Sequence, residues 1–348
     1  MERAGPRPRP ADPMEHTIHI EGGGSFRVAA DEPNLLRGAL RAGVGFPHEC
    51  SVGGCGGCRF ELVDGEVATL WDAAPGLTER DRKRGKRLAC QCRPLSDCTV
   101  RVRTGDEYRP AVPPRQLEAT LVERRPLTAD MAEFTFRTDA AAAFLPGQYA
   151  LLQLPNTAGA RAFSMSNLAN GDGIWRFIIR RVPGGAGGTA LYESLRPGDS
   201  VPLDGPYGMA YLRPDSPRDL VCIAGGSGLA PMLSVARAAM NRPGAGRLDF
   251  FYGVRTPADL CARPFLADLP DFGSRLRFHA VVSQPASDDG WDGPRGFVHE
   301  VLASGLAKPF VDHDFYFAGP PPMIEAVQQL LMLEHKVPFG QIHFDRFV

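Results

Sequence analysis

The chain has 348 residues, enough for two or three domains that each bury a core of their own. Its 39 basic and 40 acidic side chains leave a formal net charge of −1, without the basic excess of a dedicated nucleic-acid binder. Hydrophobic residues make up 43 %, an ordinary share, so 39 glycines and 32 prolines point to many turns and not to a disordered chain.

The apolar, uncharged run 220–236 is too short to span a bilayer and is broken by glycine and proline. The N-terminus lacks the apolar segment of a secretory signal. The expectation is a cytoplasmic monomer with neither membrane nor nucleic acid as partner. Five of the eight cysteines lie between Cys50 and Cys92, with Cys98 close behind. Without an export signal, such a cluster points to metal binding or catalysis before disulfides.

Residues 1–13 hold four prolines and no apolar period, the pattern of a disordered tail, and Met14 is an alternative start. Segments 17–20 and 26–29 flank a glycine-rich turn and predict a hairpin. Asp31-Glu32-Pro33 predicts the cap of a short helix with Leu35, Leu36, Ala39 and Leu40 on one face. Segments 60–63 and 67–70 around Asp64-Gly65 predict a second hairpin, completing a small α+β domain over 14–106. The proline-rich stretch 107–116 reads as a linker. Short strands at 117–123, 131–137, 148–154, 161–166 and 174–182, with one helix near 189–196, predict an antiparallel β-barrel over 117–212. From 213 to 348, apolar runs at 220–224, 248–252, 276–282 and 315–318 alternate with helical patterns at 229–240, 297–305 and 321–335. That alternation predicts an α/β domain, a parallel sheet covered by helices on both faces.

Cys50, Cys55 and Cys58, followed by Cys90, have the C-x4-C-x2-C…C spacing of plant-type 2Fe-2S ligands. Three thiolates converging from one loop need a tightly curled backbone, which Gly53, Gly54, Gly56 and Gly57 allow. Their N–H groups can also face the sulfurs. A structural zinc site is the alternative, but zinc ligands favour paired C-x2-4-C knuckles, and Cys90-Gln91-Cys92 is not one. Spacing favours Cys90 over Cys92 and Cys98; Cys222 and Cys261 read as core or surface thiols. With Pro47-His48-Glu49-Cys50 and Leu88-Ala89-Cys90-Gln91-Cys92, this segment resembles the plant-type ferredoxins fused to oxygenase reductases, which implies a β-grasp fold.

Arg161-Ala162-Phe163-Ser164-Met165-Ser166-Asn167 resembles the R-x-[YF]-[ST]-x-x-[ST] signature of the ferredoxin–NAD(P) reductase family. The resemblance implies FAD, with Arg161 able to pair with its pyrophosphate, Phe163 to pack on the isoalloxazine and Ser164 to bond the N5 edge, and Ser166 as a further contact. Gly187-Gly188-Thr189 opens the predicted helix as a phosphate site, and Leu203 to Gly208 is a second landmark of the family. Next, strand 220–224 runs into Gly225-Gly226-Ser227-Gly228 and then a helix, a turn that brings a pyrophosphate to bare backbone at a positive helix end. It resembles the family's G-G-[ST]-G-x-A-P form, and Gly253, Arg255, Gly319 and Pro320 lie in segments that fit the same family. Ala318 stands where many members carry a cysteine beside the nicotinamide. The basic run 80–87 reads as a solvated face or as a dock for an acidic electron acceptor.

In this order, the motifs are similar to those of reductase components of bacterial multicomponent oxygenases, the toluene-4-monooxygenase-type diiron systems above all. The resemblance implies a path from NADH to FAD to a 2Fe-2S cluster near roughly −400 mV, then to a Rieske ferredoxin or a diiron hydroxylase. A reductase for a different oxygenase class, or a general NADH:ferredoxin or flavin reductase, is the alternative. In that family the terminal strand returns to the flavin, which implies catalytic roles for Ser164, Asp345 and Phe347.

Overall fold

The structure is a computed structural model and describes residues 15–242, 244, 246–286 and 289–347. The expected tail and Met14 lie outside the described residues. The chain divides into two compact units between Pro110 and Ala111.

The first unit holds strands β1 (His16–Ile20), β2 (Ser25–Val28), β3 (Arg59–Asp64), β4 (Val67–Thr69), β5 (Lys86–Leu88), β6 (Cys92–Pro94) and β7 (Cys98–Arg101), with helices α1 (Leu35–Arg41) and α2 (Glu79–Lys83). Five strands form one sheet in the order β2-β1-β7-β3-β5, in which only β1 and β7 run parallel. Helix α1 buries Leu35, Leu36, Ala39 and Leu40, the face its spacing predicts. It crosses β2 so closely that a Cβ on Gly38 would lie 2.9 Å from Val28.

Two local expectations give way. The helix is capped by Asn34, whose side chain accepts from the Arg37 N–H at 3.0 Å; Pro33 precedes the cap, and Glu32 pairs with Arg41 instead. Strands β3 and β4 form no hairpin: β3 pairs with β5 and β7, and β4 pairs with β6. The chain turns away at Gly65, where a Cβ would come within 2.3 Å of the Asp97 carbonyl oxygen.

The second unit opens with β8 (Arg115–Pro126), β9 (Met131–Arg137), β10 (Tyr149–Leu152), β11 (Arg161–Ser164), β12 (Ile174–Arg180), a short helix α3 (Ala186–Thr189) that continues as a wider turn to Ser194, and β13 (Ser200–Tyr207). The antiparallel order is β11-β10-β13-β8-β9-β12. The sheet closes on itself where Met165, just past β11, bridges to Phe177 of β12. Inside are Phe134, Phe136, Trp175 and Phe177, each fully buried and worth about 1.5–3 kcal/mol on the scale of buried large apolar side chains. Strand β13, central between β8 and β10, carries Pro202 and Pro206 and has no strand signature in sequence.

The remainder is β14 (Asp219–Gly225), α4 (Leu229–Met240), β15 (Leu248–Val254), α5 (Ala262–Ala267), β16 (Leu276–Val282), α6 (Val298–Gly305), β17 (His313–Gly319), α7 (Pro321–Gln328) and β18 (Ile342–Arg346). All five strands are parallel, in the order β16-β15-β14-β17-β18. Alternate residues face opposite cores: Cys222 and Ala224 join α4 and α5, while Val221 and Ile223 join α6 and α7. Leu330 and Leu331 are buried while Leu333 is 63 % exposed, because the chain widens its turn after Gln328.

His343 of β18 stacks on Tyr316, with ring centroids 4.7 Å apart. Burial, reinforced by the Arg213 cation, pushes its imidazole down to about 4. The folded state therefore favours neutral His343, and this contribution is present above the unfolded pKa near 6.5 and lost as pH falls towards 4. The chain should lose about 3 kcal/mol more stability between pH 7 and pH 4 than His343→Phe does. Urea midpoints at both pH values measure this; equal losses would remove His343 as the cause.

Candidate functional site

The loop 50–58 joins α1 to β3 and curls through three left-handed residues, Ser51 (φ 55°), Gly53 (φ 94°) and Gly56 (φ 78°). Gly54 and Gly57 need no such conformation, and Ser51 does, at the cost usual for a residue with a side chain. At Gly56 the reason is contact as well: a Cβ would stand 2.5 Å from the Gly76 carbonyl oxygen. The curl aims backbone donors at sulfur. The Cys55 N–H reaches Cys50 Sγ at 3.3 Å, the Cys50 N–H reaches Cys55 Sγ at 3.4 Å, and the Gly57 N–H reaches Cys55 Sγ at 3.3 Å.

The four thiols stand in two hydrogen-bonded pairs, Cys50 with Cys55 and Cys58 with Cys90. Within each pair one thiol is lowered and its partner raised: the Cys55 hydrogen bond brings Cys50 down to about 5, and Cys90 lowers Cys58. Cys92 is pushed up to about 12 by burial. Cys98 points its Sγ at the Ser96 and Glu66 carbonyls, 3.3 and 3.4 Å away. Among the described residues no group of three or more His, Cys, Asp or Glu is set around a single metal ion. Two pairs of thiols suit a two-iron cluster, in which each iron takes two thiolates.

In the barrel, Arg161 and the glycines of α3 come together: a Cβ on Gly187 would meet Arg161 Cγ at 3.4 Å. Gly187, Gly188 and Thr189 lie within this one turn of helix, which starts at Ala186. Ser164 is buried opposite Tyr149 in the β10–β11 register. Phe163 is half-buried and meets Phe177 edge-on at 6.4 Å, so part of its ring belongs to the barrel core. Ser166 is fully buried, and its hydroxyl is shared between the Arg176 carbonyl at 3.2 Å and Glu133 at 3.4 Å, within the seam of the barrel. Asn167, where the signature has a hydroxyl residue, uses its amide on Arg176 and Ile174.

In the parallel sheet, the register sets Tyr252, Ala224, Ala318 and Asp345 in a row across β15, β14, β17 and β18. One residue further on are Gly253, Gly225, Gly319 and Arg346, at the carboxyl ends of the strands and around the switch point between β14 and β17. That is where open α/β sheets take ligands. The turn is tight: a Cβ on Gly228 would lie 1.9 Å from the Ala318 carbonyl oxygen, and one on Gly225 would lie 2.6 Å from Met323 Sδ. A cleft of about 510 Å³ opens here, lined by Gly225, Gly226, Gly253, Arg255 and Pro320 of the expected set. Its size suits a nucleotide portion of a dinucleotide. Ala318 is fully buried, so no thiol borders the turn at that position. The Phe347 N–H donates to the Gly319 carbonyl at 3.1 Å, and its ring packs half-buried on the apolar cluster that includes Met131 and Tyr252.

Comparison with known proteins agrees with this geometry. Residues 18–95 match the 2Fe-2S iron-sulfur cluster binding domain, 118–211 the oxidoreductase FAD-binding domain and 222–329 the oxidoreductase NAD-binding domain. The ferredoxin–NAD(P)+ reductase CarAd of Metapseudomonas resinovorans is 43 % identical over 316 residues, 90 % of this chain and 94 % of that one. The ferredoxin–NAD+ reductase component of the alkene monooxygenase system of Xanthobacter autotrophicus is 40 % identical over 337 residues, 95 % of this chain and all of that one. The solved structure of the ferredoxin reductase in carbazole 1,9a-dioxygenase matches with a TM-score of 0.88 at 38 % identity, covering 96 % of this chain and 99 % of that one. The chain belongs to the ferredoxin–NAD(P)+ reductases. The reductase is an oxidoreductase with 2Fe-2S, FAD-binding and NAD-binding domains, in β-grasp-like, barrel and parallel-sheet folds.

Several cleft residues carry no signal in a motif. Arg180 ends β12 in the barrel yet lines the nucleotide cleft, held by Asp130 at 2.5 Å, and its Nη1 would be 3.3 Å from a Cβ on Gly226. A pair of arginines closing an apolar strand was the available hint. Met323 and Phe297 line the same cleft from the starts of α7 and α6. Asp259 also lines it, but its Oδ2 accepts from the Thr256 N–H and hydroxyl, both at 3.0 Å.

Proposed function

We propose that this reductase takes electrons from NADH and delivers them to an oxygenase component, a Rieske ferredoxin or the hydroxylase itself, in a system that oxidises an aromatic or alkene hydrocarbon. The names of its relatives, reductases of alkene monooxygenase and carbazole dioxygenase systems, support that acceptor class. The observation that carries the electron path is the presence in one chain of two thiol pairs and a nicotinamide-type turn at a sheet switch point. Bound FAD would supply the conversion of a two-electron hydride donor into the single electrons a 2Fe-2S cluster passes on.

The residues divide the work. Cys50 and Cys55 would hold one iron, and Cys58 and Cys90 the other. Arg161, with Gly187, Gly188 and Thr189, would hold the flavin pyrophosphate, while Ser164 would bond the N5 edge. Gly225, Gly226, Ser227 and Gly228 take the NADH pyrophosphate, with Gly253, Arg255, Gly319 and Pro320 around the cleft and Arg180 as an added cation. Asp345, at the end of the row through Ala224 and Ala318, stands near the reacting edge. Replacing Cys90 by Ser should abolish the reduced-state electron paramagnetic resonance signal, whereas Cys98→Ser should keep it. A signal that survives in Cys90→Ser and disappears in Cys92→Ser would exchange the fourth ligand.

NADH is preferred over NADPH in this reading. Arg255 is one cation beside one acid, Asp259; both line the cleft past the end of β15, where an acid would suit a free ribose 2′-hydroxyl. The expected kcat/KM for NADH is at least tenfold higher; equal values would remove the assignment.

In this reading Phe347 would cover the flavin face that the nicotinamide must reach. Its backbone is tied to Gly319 and its ring is half-buried, so it can lift without unfolding the strand. Removal of residues 347–348 should shift the flavin absorption band, lower the KM for NADH and speed reaction with oxygen. Wild-type values for all three would refute the cover.

A further inference from the structure

Within the second unit, one helix touches both cofactor motifs. Helix α4 begins at the end of the Gly225–Gly228 turn. Further along it, Ser234 donates its hydroxyl to the Asn167 carbonyl at 2.7 Å, and the Arg237 guanidinium donates to the Ser166 carbonyl. The two donors stand at i and i+3, on one face of the helix. Their acceptors end the flavin motif, two and three residues beyond Ser164.

The barrel side of this contact is equally well held. The Ser166 N–H donates to the Arg176 carbonyl at 2.7 Å, and Asn167 bonds the Arg176 N–H at 2.9 Å and the Ile174 carbonyl at 2.8 Å. Ser234 is fully buried. Arg237 lies over the Phe265 ring of α5 at 5.7 Å, and Arg125 lies 5.1 Å from the same ring while pairing with Glu133 at 2.8 Å. Neither Ser234 nor Arg237 lines the nucleotide cleft.

We propose that Ser234 and Arg237 are positioning residues, which fix the distance and angle between the flavin motif at Ser164 and the nicotinamide turn at Gly225–Gly228. The proposal rests on the roles given above to Ser164 and to that turn. A helix is a stiff strut with a rise of about 1.5 Å per residue, so its clamp to Ser166 and Asn167 transmits the position of the barrel directly to the turn. Hydride transfer demands near-attack geometry, and a misplacement of about 1 Å costs on the order of 100-fold in rate. The side chains themselves touch neither reactant, so their loss should leave binding intact and slow the transfer.

The test uses the full-length holoprotein with NADH in anaerobic stopped flow. In Arg237→Met and Ser234→Ala, the rate constant for flavin bleaching at saturating NADH should fall at least tenfold. The NADH Kd should stay within twofold, with unchanged FAD content and visible spectrum. The long-wavelength charge-transfer absorbance on mixing should weaken, and amide hydrogen exchange should quicken at 166–168 and 234–238. Arg237→Lys, which keeps a cationic donor, should recover most of the rate. Unchanged bleaching in both variants overturns the proposal, as does a joint loss of FAD and rate in both, which would reduce the clamp to barrel folding. Ser164→Ala with wild-type bleaching would instead bring down the flavin assignment, so the two failures are distinguishable.

Discussion

Four thiols held within reach of one another resist ionisation together, and the first unit is built around that constraint. Each pair can carry one charge easily and a second only against its neighbour, which is why Cys55 and Cys90 are raised as Cys50 and Cys58 are lowered. Positive iron removes the conflict, but the thiols must first be held in place. The loop is braced by the Gly76 N–H donating to the Gly53 carbonyl at 2.9 Å and by the close approach of Gly56 to Gly76. The 72–77 segment is in turn held by Arg82, which donates to the Asp72, Ala74 and Leu77 carbonyls. Asp81 then ties α2 to Arg59 of β3 at 3.0 Å and to Lys86 of β5 at 3.2 Å. The basic run 80–87 is thus in part scaffold. Arg82 and Lys86 are engaged inside the unit, and the exposed cations of the helix region are Arg80, Lys83 and Arg84.

In the second unit the corresponding constraint is steric. A nucleotide needs bare backbone at the carboxyl ends of β14 and β17, and the strands and helix must approach closely enough to leave no room for a Cβ at Gly228. The apolar faces of β14 supply the rigidity. Its alternate residues are buried in two separate cores, so the strand cannot rotate without exposing one of them.

What could be read from the sequence follows from how local each signal is. The parallel sheet was legible because its central strands, buried on both faces, write continuous apolar runs at 220–224 and 315–318, and the runs 248–252 and 276–282 also fall within strands. The cysteine set was legible because three members share one loop. Strand β13 was hidden by its prolines, and the short α5 by its length. The β3–β4 hairpin failed because Gly65 answers to Asp97 across the fold, not to its neighbours in sequence. Arg180 was missed for a related reason: it belongs to the barrel by sequence and to the nucleotide cleft by position.

The flavin motif shows where such reading stops. A signature is a string of residue types, and the string does not say which side chains face a ligand. Along β11 alternate residues point to opposite faces, and past its end the chain is drawn into the seam that closes the barrel. Ser164 and Ser166 have the same chemistry two residues apart, yet the Ser166 hydroxyl is taken by Arg176 and Glu133. Burying an unpartnered hydroxyl is costly, so a seam residue must be polar only if its partners are, and here they are a carbonyl and a carboxylate. The polar character of Ser166 and Asn167 is therefore accounted for by closure of the barrel and by the carbonyls they present to α4. Polarity in a motif is evidence of a partner; only the fold says whether that partner is the cofactor or the protein itself.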